Sequence, residues 1–450
     1  MQFELNPGAP PLKRRGAIWL AGSGDADKMA GSLSFMKGNV LVLTICSILW
    51  RISIDIIWPF LALYIMALGG EYETIGQVMA IGNLASLILY PLGGYIADYR
   101  GRIKVMAYMT YVYSLTFLIF VFTDSWVWVG VGMFAQSLIT FYIPAMQALM
   151  ADSLPPGKRG IGFAATMAIP SAFGIASPIL GGWLIDILGI KPAVKGLYLA
   201  GFFVALLVAT LRLKFLRETV APREIVKITL NSIPGLLIKS YGDVIRVVKE
   251  APRRLIVLSL LISGCTFIVS LVSPFWIIRA KETIGLSTSD WGVLLLVNGV
   301  VNVLFSLPAG GFVDRHSKHL VAGICLILSA IPIYLFLYAT NFWQVLALGV
   351  LITLPNTFLN PSFQAMFTDM VPKEKRGRTI AALGGGGVWF MGGAWGTGVI
   401  AMLSMTAGSL LSGYVYRLNS SMPWMLLSAS LVILGILFVT QIKEDDRAED

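Results

Sequence analysis

The chain has 450 residues, of which 56% are hydrophobic and only 13% are charged, and its mean hydropathy is +0.78. Soluble domains carry about 25% charged residues, so this chain lacks the charge that covers a water-exposed surface, which excludes a soluble enzyme or a disordered adaptor. The net charge of +10 does not indicate nucleic-acid binding, because the basic residues lie between apolar segments. Cys46, Cys265 and Cys325 each lie within an apolar run, so neither disulfides nor a metal cluster is predicted.

Behind a polar N-terminal tail of residues 1–37, twelve apolar segments follow one another along the chain. A hydrocarbon core of about 30 Å is crossed by about 20 helical residues, and every segment is long enough. They are 38–67, 74–97, 103–122, 126–150, 161–187, 193–216, 255–279, 289–312, 319–339, 342–368, 379–416 and 422–441. Because lipid offers no hydrogen-bond partner to a free backbone amide, we expect an all-α integral membrane protein with twelve transmembrane helices.

A longer polar interval, 217–254, divides the segments into two groups of six. The first group occupies 38–216, the second occupies 255–441, and residues 442–450 form a C-terminal tail. The interval mixes basic residues with apolar residues such as Ile225 and Val248. This composition predicts a cytoplasmic linker with an interfacial helix, held by anionic lipid headgroups.

The positions of lysine and arginine predict the orientation of the chain. Both tails, the linker and the loops after even-numbered segments carry nearly all of the 34 Lys and Arg residues. The opposite side carries Lys191, Lys195, Arg279, Lys281 and Arg417. Because positively charged loops stay in the cytoplasm, we expect a multi-pass protein of the plasma or inner cell membrane with both termini cytoplasmic.

An internal repeat relates the two groups of segments. The sequence PAMQALMADSLPPGKRG at 144–160 recurs 217 positions later, at 361–377, as PSFQAMFTDMVPKEKRG. The same displacement relates Pro91, Gly93 and Gly94 to Pro308, Gly310 and Gly311. The repeat predicts two pseudo-symmetric six-helix bundles of the parallel type, in which a transporter holds its substrate between the halves near the bilayer midplane.

The loop after the second segment carries a recognisable motif. Residues 94–104, GYIADYRGRIK, resemble the loop motif of the major facilitator superfamily, and 311–318, GFVDRHSK, form a degenerate copy. The resemblance implies a transporter that works by alternating access, with this loop as a latch that stabilises the outward-open state. The gating residues implied in this way are Gly94, Asp98, Gly101, Arg102, Asp314 and Arg315.

The fifth segment narrows the resemblance to one branch of the superfamily. Residues 174–182, GIASPILGG, resemble the fifth-helix signature of drug–proton antiporters, with Ser177 in place of the usual glycine. The basic fourth-helix motif of that branch is missing, because no arginine lies between Gly132 and Gln136. This departure shifts the predicted proton route to the first segment.

Arg51 and Asp55 are ionisable residues inside the first segment, four positions apart and therefore on one helix face. Charged residues within a membrane are costly and normally face a cavity or a partner. We predict that Asp55, with Arg51 beside it, loads and releases a proton as the cavity opens to either side. The alternative is a fixed ion pair that stiffens the helix.

Polar and aromatic residues at helical spacing are the predicted substrate-binding residues. Buried amides can instead bridge helices, worth about 0.6–2 kcal/mol each, and this alternative remains open for each of them. The set is Trp58, Asn83, Gln136, Gln147, Trp276, Asn298, Asn302, Asn356, Asn360 and Gln364.

The eleventh segment is longer than its counterpart in the first half. Arg376 and Gly413 are 37 positions apart, whereas the corresponding Arg159 and Gly182 are 23 apart. We predict a break, a kink or an extra cytoplasmic turn at 384–398, and we hypothesise that it is a mobile element of the gate. Its glycine runs follow no strand and lack the lysine of a phosphate-binding loop.

The sequence contains no arrangement typical of an enzyme. His316 and His319 have no Cys or acidic cluster at metal-ligand spacing. We expect no catalytic residue, no metal and no cofactor, with a proton gradient as the energy source.

The apolar, aromatic and amide-bearing walls favour proton-coupled export of hydrophobic or amphipathic small molecules. The alternative is a proton symporter that imports a polar solute such as a sugar or metabolite. A signalling receptor on the same fold is a third class, but it would need an appended domain. The expected partners are the small-molecule substrate, protons and membrane lipids, without nucleic acid, and we expect a monomer.

Overall fold

The structure is a computed structural model that describes residues 35–89, 101–155, 159–219, 233–371, 379 and 382–442. Two of the predicted gating residues, Gly94 and Asp98, lie outside the described residues. We call the end of the bundle at which the first helix begins the proximal end. The opposite end, where the first helix is joined to the second, is the distal end.

Six transmembrane segments form the first half. Their bounds are α1 (Asn39–Asp55 and Leu61–Ala67), α2 (Tyr72–Leu89), α3 (Arg102–Phe122), α4 (Trp126–Ile139 and Ile143–Ser153), α5 (Arg159–Gly174 and Ser177–Leu188) and α6 (Ile190–Phe215). The two parts of α1 are joined through a 3-10 turn at Trp58–Phe60, and those of α4 through one at Thr140–Tyr142. Pro59 and Pro144 lie at these breaks, because proline has no amide hydrogen to continue the helix ladder.

A linker helix, Ile233–Glu250, lies between the halves in the chain. Val244, Val247 and Val248 recur at helical spacing and pack against the main hydrophobic core. The Tyr241 hydroxyl donates a hydrogen bond to the carbonyl of Leu87, near the last described residue of α2. Residues Ile233–Glu250 of the linker are therefore helical, and the interfacial position of this helix stays a prediction.

Six further segments form the second half. Their bounds are α7 (Arg253–Val272 and Trp276–Glu282), α8 (Thr288–Val313), α9 (Lys318–Leu335), α10 (Phe342–Met370), α11 (Val399–Leu418) and α12 (Met422–Gln441). A 3-10 turn at Ser273–Phe275 interrupts α7 as Trp58–Phe60 interrupts α1. The two halves therefore share the same broken first helix.

Among the described residues, eleven helices are long and apolar enough to cross a membrane. They are all of the transmembrane segments except α2, whose described part carries Glu73, Gln77 and Asn83. Counting α2, the arrangement is the predicted all-α architecture of twelve helices in two bundles. That prediction is confirmed, with one exception inside the second half.

The exception is a β-hairpin that precedes α11. Strand β1 (Gly385–Trp389) pairs antiparallel with β2 (Gly393–Thr397), with Trp389 opposite Gly393 and Gly385 opposite Thr397. The Gly392 amide donates to the Trp389 carbonyl at 2.9 Å and closes the turn. Gly393 has a φ of 113°, which side chains other than glycine rarely tolerate. The predicted interruption at 384–398 is confirmed, and the long helix of the eleventh segment begins only after it, at Val399, and ends at Leu418.

The halves meet along two long helix pairs, α2 against α11 and α5 against α8. Glycine allows both crossings, since a Cβ on Gly413 would lie 2.2 Å from the Tyr72 carbonyl oxygen. A Cβ on Gly182 would lie 2.2 Å from the Thr288 carbonyl oxygen. Small residues at such contacts let helix backbones approach closely, and the space between the two pairs holds the central cavity.

Candidate functional site

A cavity of about 290 Å³ lies between the two halves. Both halves line it, and the broken turns of α1 and α7 contribute Trp58, Pro59, Ser273 and Pro274. The volume is at the lower end of the range for small-molecule sites. The interrupted helices thus place irregular backbone around a cavity, where unpaired backbone groups can be tolerated within a membrane.

The cavity wall is uncharged, and its apolar part is adaptable. Four methionines line it, Met79 and Met133 from the first half and Met391 and Met405 from the second. Methionine is flexible and polarisable, so it adapts to ligands of different shape. None of the described lining residues carries a formal charge. Such a wall can contact the apolar surfaces of ligands that differ in shape.

Three of the predicted substrate-binding residues line the cavity together: Trp58, Asn83 and Gln136. The Asn83 amide donates to the Ser409 hydroxyl at 3.3 Å, across the interface between the halves. The Gln136 Nε2 atom is buried and has no hydrogen-bond partner among the described residues. A buried donor without a partner is costly, and a ligand acceptor in the cavity would satisfy it.

Three predicted residues hold the hairpin instead of lining the cavity. Asn360 accepts a hydrogen bond from the Val388 amide at 2.9 Å and donates to the Val388 carbonyl at 3.1 Å. Asn356 donates to the same carbonyl at 2.7 Å. Asn298 Nδ2 lies 3.6 Å from the Met391 sulfur at the hairpin turn. Helical spacing predicted that these three residues contact substrate. Asn356 and Asn360 instead bond to the backbone of Val388, and Asn298 contacts the side chain of Met391, which itself lines the cavity.

The remaining predicted wall residues lie elsewhere. Trp276 is 0% exposed and packs on Phe336 and Trp424 with ring centroids 4.7 and 5.6 Å away, so it belongs to the core of the second half. Asn302 donates to the Thr357 hydroxyl at 3.1 Å and bridges α8 and α10.

Gln147 and Gln364, which the repeat relates to each other, are exposed and are not among the residues that line the cavity. Their predicted contact with substrate is not part of the described site.

The predicted proton-coupling pair is formed. Arg51 Nε lies 2.6 Å from Asp55 Oδ2, and the side chains are 44% and 21% exposed. The pair packs on Gly174 of α5, where a Cβ would lie 2.6 Å from Asp55 Oδ2 and 2.7 Å from Arg51 Cγ. The pair is not among the residues that line the cavity, and Asp55 lies one turn before Trp58, which is.

Charged and polar contacts that the sequence did not single out join α2 to α11 and α7 at the distal end. Arg417 Nη1 lies 3.0 Å from Glu71 Oε2 and 2.8 Å from Glu73 Oε1. The Tyr72 hydroxyl donates to the Glu282 carboxylate at 3.0 Å. In the sequence, Arg417 served only to predict the orientation of the chain in the membrane. Its partners lie more than 300 positions away, and no sequence pattern indicates that contact.

A second contact closes the other flank of the distal end. Asp186, near the end of α5, accepts hydrogen bonds from the Thr288 and Ser289 amides at 3.1 and 2.8 Å. It also accepts from the Thr288 hydroxyl at 2.6 Å. A carboxylate at a helix N-terminus is stabilised by the free amides and the helix dipole. The first half thus caps α8 of the second half, and the two flanks together close the distal end.

Two ion pairs at the proximal end each lie within one half. Arg102 pairs with Asp152 in the first half, and Lys318 pairs with Asp369 in the second. Asp152 and Asp369 are the repeated residues, so both copies of the motif tie the start of one helix to the end of the next. Within the described ranges neither pair joins the two halves.

The other gating predictions concern chain turns in the described part of the molecule. Gly101 has a φ of 83° and precedes α3. Asp314 follows α8 and its amide donates to the Gly310 carbonyl at 3.0 Å, while the Arg315 amide donates to Phe312 at 3.1 Å. These are local backbone contacts, and the gating role of all six residues stays a prediction.

The chain is similar in sequence to one family of known proteins. The sequence profile of the Major Facilitator Superfamily matches residues 43–287 and 258–447. A Lactococcus lactis protein named as a multi-drug resistance efflux pump PmrA homolog is 26% identical over 360 residues, covering 77% of this chain and 83% of that protein. The multidrug resistance protein MdtG of Salmonella arizonae is 25% identical over 405 residues, covering 85% and 95%.

Three further proteins, one by sequence and two by structure, are similar to this chain. A Na(+), Li(+), K(+)/H(+) antiporter of Planococcus maritimus is 23% identical over 357 residues, covering 73% of this chain and 81% of that protein. Among solved structures, the peptide transporter POT in complex with alafosfalin has a TM-score of 0.68 at 14% identity, covering 92% of this chain and 97% of that chain. The human organic anion transporter MFSD10 has a TM-score of 0.61 at 16% identity, covering 89% and 98%. At these identities the structures establish the fold.

Proposed function

The chain belongs to the Major Facilitator Superfamily, and on this premise we propose that it exports hydrophobic or amphipathic small molecules in exchange for protons. Membership makes it a multi-pass membrane transporter with a small-molecule substrate rather than an enzyme. The direction, the substrate class and the coupling ion are the proposal. With the termini in the cytoplasm, as the positive-inside rule predicts, the distal end is extracellular.

The observation that carries the proposal is the cavity wall. Met79, Met133, Met391 and Met405 surround a space that no described charged side chain lines. A highly charged substrate would be desolvated there without compensation, whereas an apolar or amphipathic one gains contact with adaptable side chains. The relatives named as multidrug efflux pumps support export.

The Arg51–Asp55 pair supports proton coupling. One guanidinium nitrogen at 2.6 Å holds the carboxylate, and the arginine side chain is 44% exposed, so protein does not enclose the pair on the arginine side. A proton that replaces the arginine as the partner of Asp55 would free Arg51 to move. That exchange lies one helical turn from the cavity and can be sensitive to substrate.

Asp55→Asn tests the coupling role, because an amide cannot carry the exchanged proton. In proteoliposomes we expect wild type to move ethidium against its gradient when a pH gradient is imposed, and Asp55→Asn to lose this accumulation while it still binds ethidium. Asp124→Asn is the matched control, since Asp124 lies in a loop and pairs with Lys195 at 2.7 Å. Unchanged gradient-driven transport by Asp55→Asn would refute the coupling role.

The same assay separates export from the alternative, import of a polar solute. The unpartnered Gln136 Nε2 is the observation that favours a substrate with a hydrogen-bond acceptor. A symporter would accumulate glucose in the direction of proton entry. An antiporter moves ethidium in the opposite direction to protons.

A further inference from the structure

The β-hairpin Gly385–Thr397 has no counterpart in the described part of the first half. There, α5 runs from Arg159 to Leu188 as helix with one break at Ile175 and Ala176. In the second half the hairpin precedes α11 and packs against α7, α10 and α11. Its position inside the bundle follows from these contacts, because all three helices are transmembrane segments.

The backbone of the hairpin is satisfied by side chains of α10. The amide and carbonyl of Val388 point away from β2, and both are bonded by Asn360, with Asn356 adding a third bond. The side-chain amide of Asn360 thereby makes the two hydrogen bonds that a neighbouring strand would make with Val388. Open sheet edges are tolerated at membrane depth only where protein groups satisfy them, so the two asparagines fix where the hairpin sits.

The turn of the hairpin forms part of the cavity wall. Met391, Gly392, Gly393 and Ala394 all line the cavity. Just before these turn residues, Val388 and Phe390 are buried, at 0% and 1% exposure. The buried pair anchors the hairpin in the second half, and the turn between Phe390 and Ala394 is left to face the space between the halves.

We propose that the hairpin is the substrate-selecting element of this transporter. Asn356 and Asn360 dock it, and its turn sets the size and apolar character of the second half's wall. Met391 supplies an adaptable contact for an apolar ring, and Gly392 leaves room for it. The proposal deepens the proposed function and rests on the central cavity being the substrate site.

Gly392→Leu tests the role in selection by adding bulk at the turn. A Cβ there has no neighbour closer than 3.4 Å and Gly392 lines the cavity, so we expect the backbone to accommodate the change and the side chain to reduce the cavity space. We expect the affinity for rhodamine 6G, the larger dye, to fall at least about tenfold more than the affinity for ethidium, about one decade of Kd. Gly196→Leu, on an exposed face of α6 with nothing within 4 Å of its Cβ, should change neither.

Thiol labelling of the purified full chain tests the placement independently of transport. The thiol introduced by Met391→Cys should react with N-ethylmaleimide at least about tenfold faster than that of Phe390→Cys, whose position is buried. The native Cys46, Cys265 and Cys325 are buried and give a low background. Ethidium at about nine times its Kd should slow labelling of Met391→Cys about tenfold, because about one tenth of the sites is then free.

The outcomes separate the two proposals. Slow labelling of Met391→Cys overturns the selection role of the hairpin, whichever substrate the protein binds. Gly392→Leu also overturns it if the affinities for rhodamine 6G and ethidium fall equally. A rise in melting temperature would show that ethidium binds the protein. If ethidium raises the melting temperature but does not slow the rapid labelling of Met391→Cys, the selection role of the hairpin is also overturned. Protection of Met391→Cys by glucose but not by ethidium would overturn the hydrophobic substrate class and leave the selecting role of the hairpin standing.

Discussion

At the scale of single residues, the geometry around Asp55 depends on one glycine. Gly174 leaves the space that Arg51 and Asp55 occupy between α1 and α5, and the atoms of both would lie within 2.7 Å of any added Cβ. Charge alone therefore does not create the pair, because a neighbouring helix must also leave room for it. The sequence singled out Gly174 as part of a motif and Arg51–Asp55 as a pair, but not their contact.

Gly174→Ala should disturb the pair without changing its charges. We expect the added methyl to push Asp55 away from Arg51 and to lower pH-gradient-driven transport of ethidium several-fold, with a lower melting temperature. Overpacking of this kind costs about 1–3 kcal/mol. Gly130→Ala in α4 is the control, because its nearest neighbour would be Val78 at 3.7 Å. Equal transport rates for the two variants would contradict the prediction.

At the scale of elements, the hairpin explains the polar face of α10. Asn356 and Asn360 were predicted from their spacing to contact substrate, and they hold the edge of β1 instead. Spacing along a helix identifies which side chains share a face. It does not identify what packs on that face, and here the partner is a segment 28 residues further along the chain.

Asn360→Leu should loosen the hairpin. It leaves the Val388 amide without its partner in a buried position, and an unsatisfied buried group costs about 1–3 kcal/mol. Hydrogen exchange of the Val388 amide should accelerate by about one to two orders of magnitude, since 1.4 kcal/mol corresponds to about tenfold. Asn302→Leu, which removes a single bond to Thr357, is the matched control. A Val388 amide as protected in Asn360→Leu as in wild type would contradict the docking role.

At the scale of the whole molecule, the structure is closed at the distal end on both flanks. Arg417 with Glu71 and Glu73 closes the α2–α11 flank, and Asp186 of α5, bonded to the first residues of α8, closes the α5–α8 flank. The flanks differ in strength. The Arg417 side chain is 63% exposed, and exposed ion pairs contribute about 0.2–1 kcal/mol each, whereas hydrogen bonds to a charged group such as Asp186 contribute about 1.5–3 kcal/mol each.

Asp186→Asn should therefore open the distal end more than Arg417→Gln. An amide offers one acceptor oxygen to the donors that two carboxylate oxygens now bind, so we expect a shift of at least about tenfold toward the open state. Spin labels at Phe122→Cys and Leu418→Cys, both exposed at the distal end, report it as a longer distance component. Lys195→Gln breaks an ion pair within the first half and should leave the distances unchanged. A larger shift toward the open state in Arg417→Gln than in Asp186→Asn would contradict the prediction that the α5–α8 flank is the stronger one.

The sequence by itself determined the membrane class, the two halves and the identity of the family. Hydropathy is a property of each segment, and lipid permits only helix for it, while the repeat at 217 positions is visible in one dimension. The break in the eleventh segment was likewise visible as excess length and glycine.

The tertiary structure decided which residues form the site. The cavity joins Gln136 and Trp58 of one half to Met391 of the other, and the distal contacts join Glu71 to Arg417 and Asp186 to Ser289. Helical periodicity gives the face on which a residue lies but not the helix or hairpin that packs against it. Those pairings depend on how the two bundles close around each other, and that is a property of the folded chain.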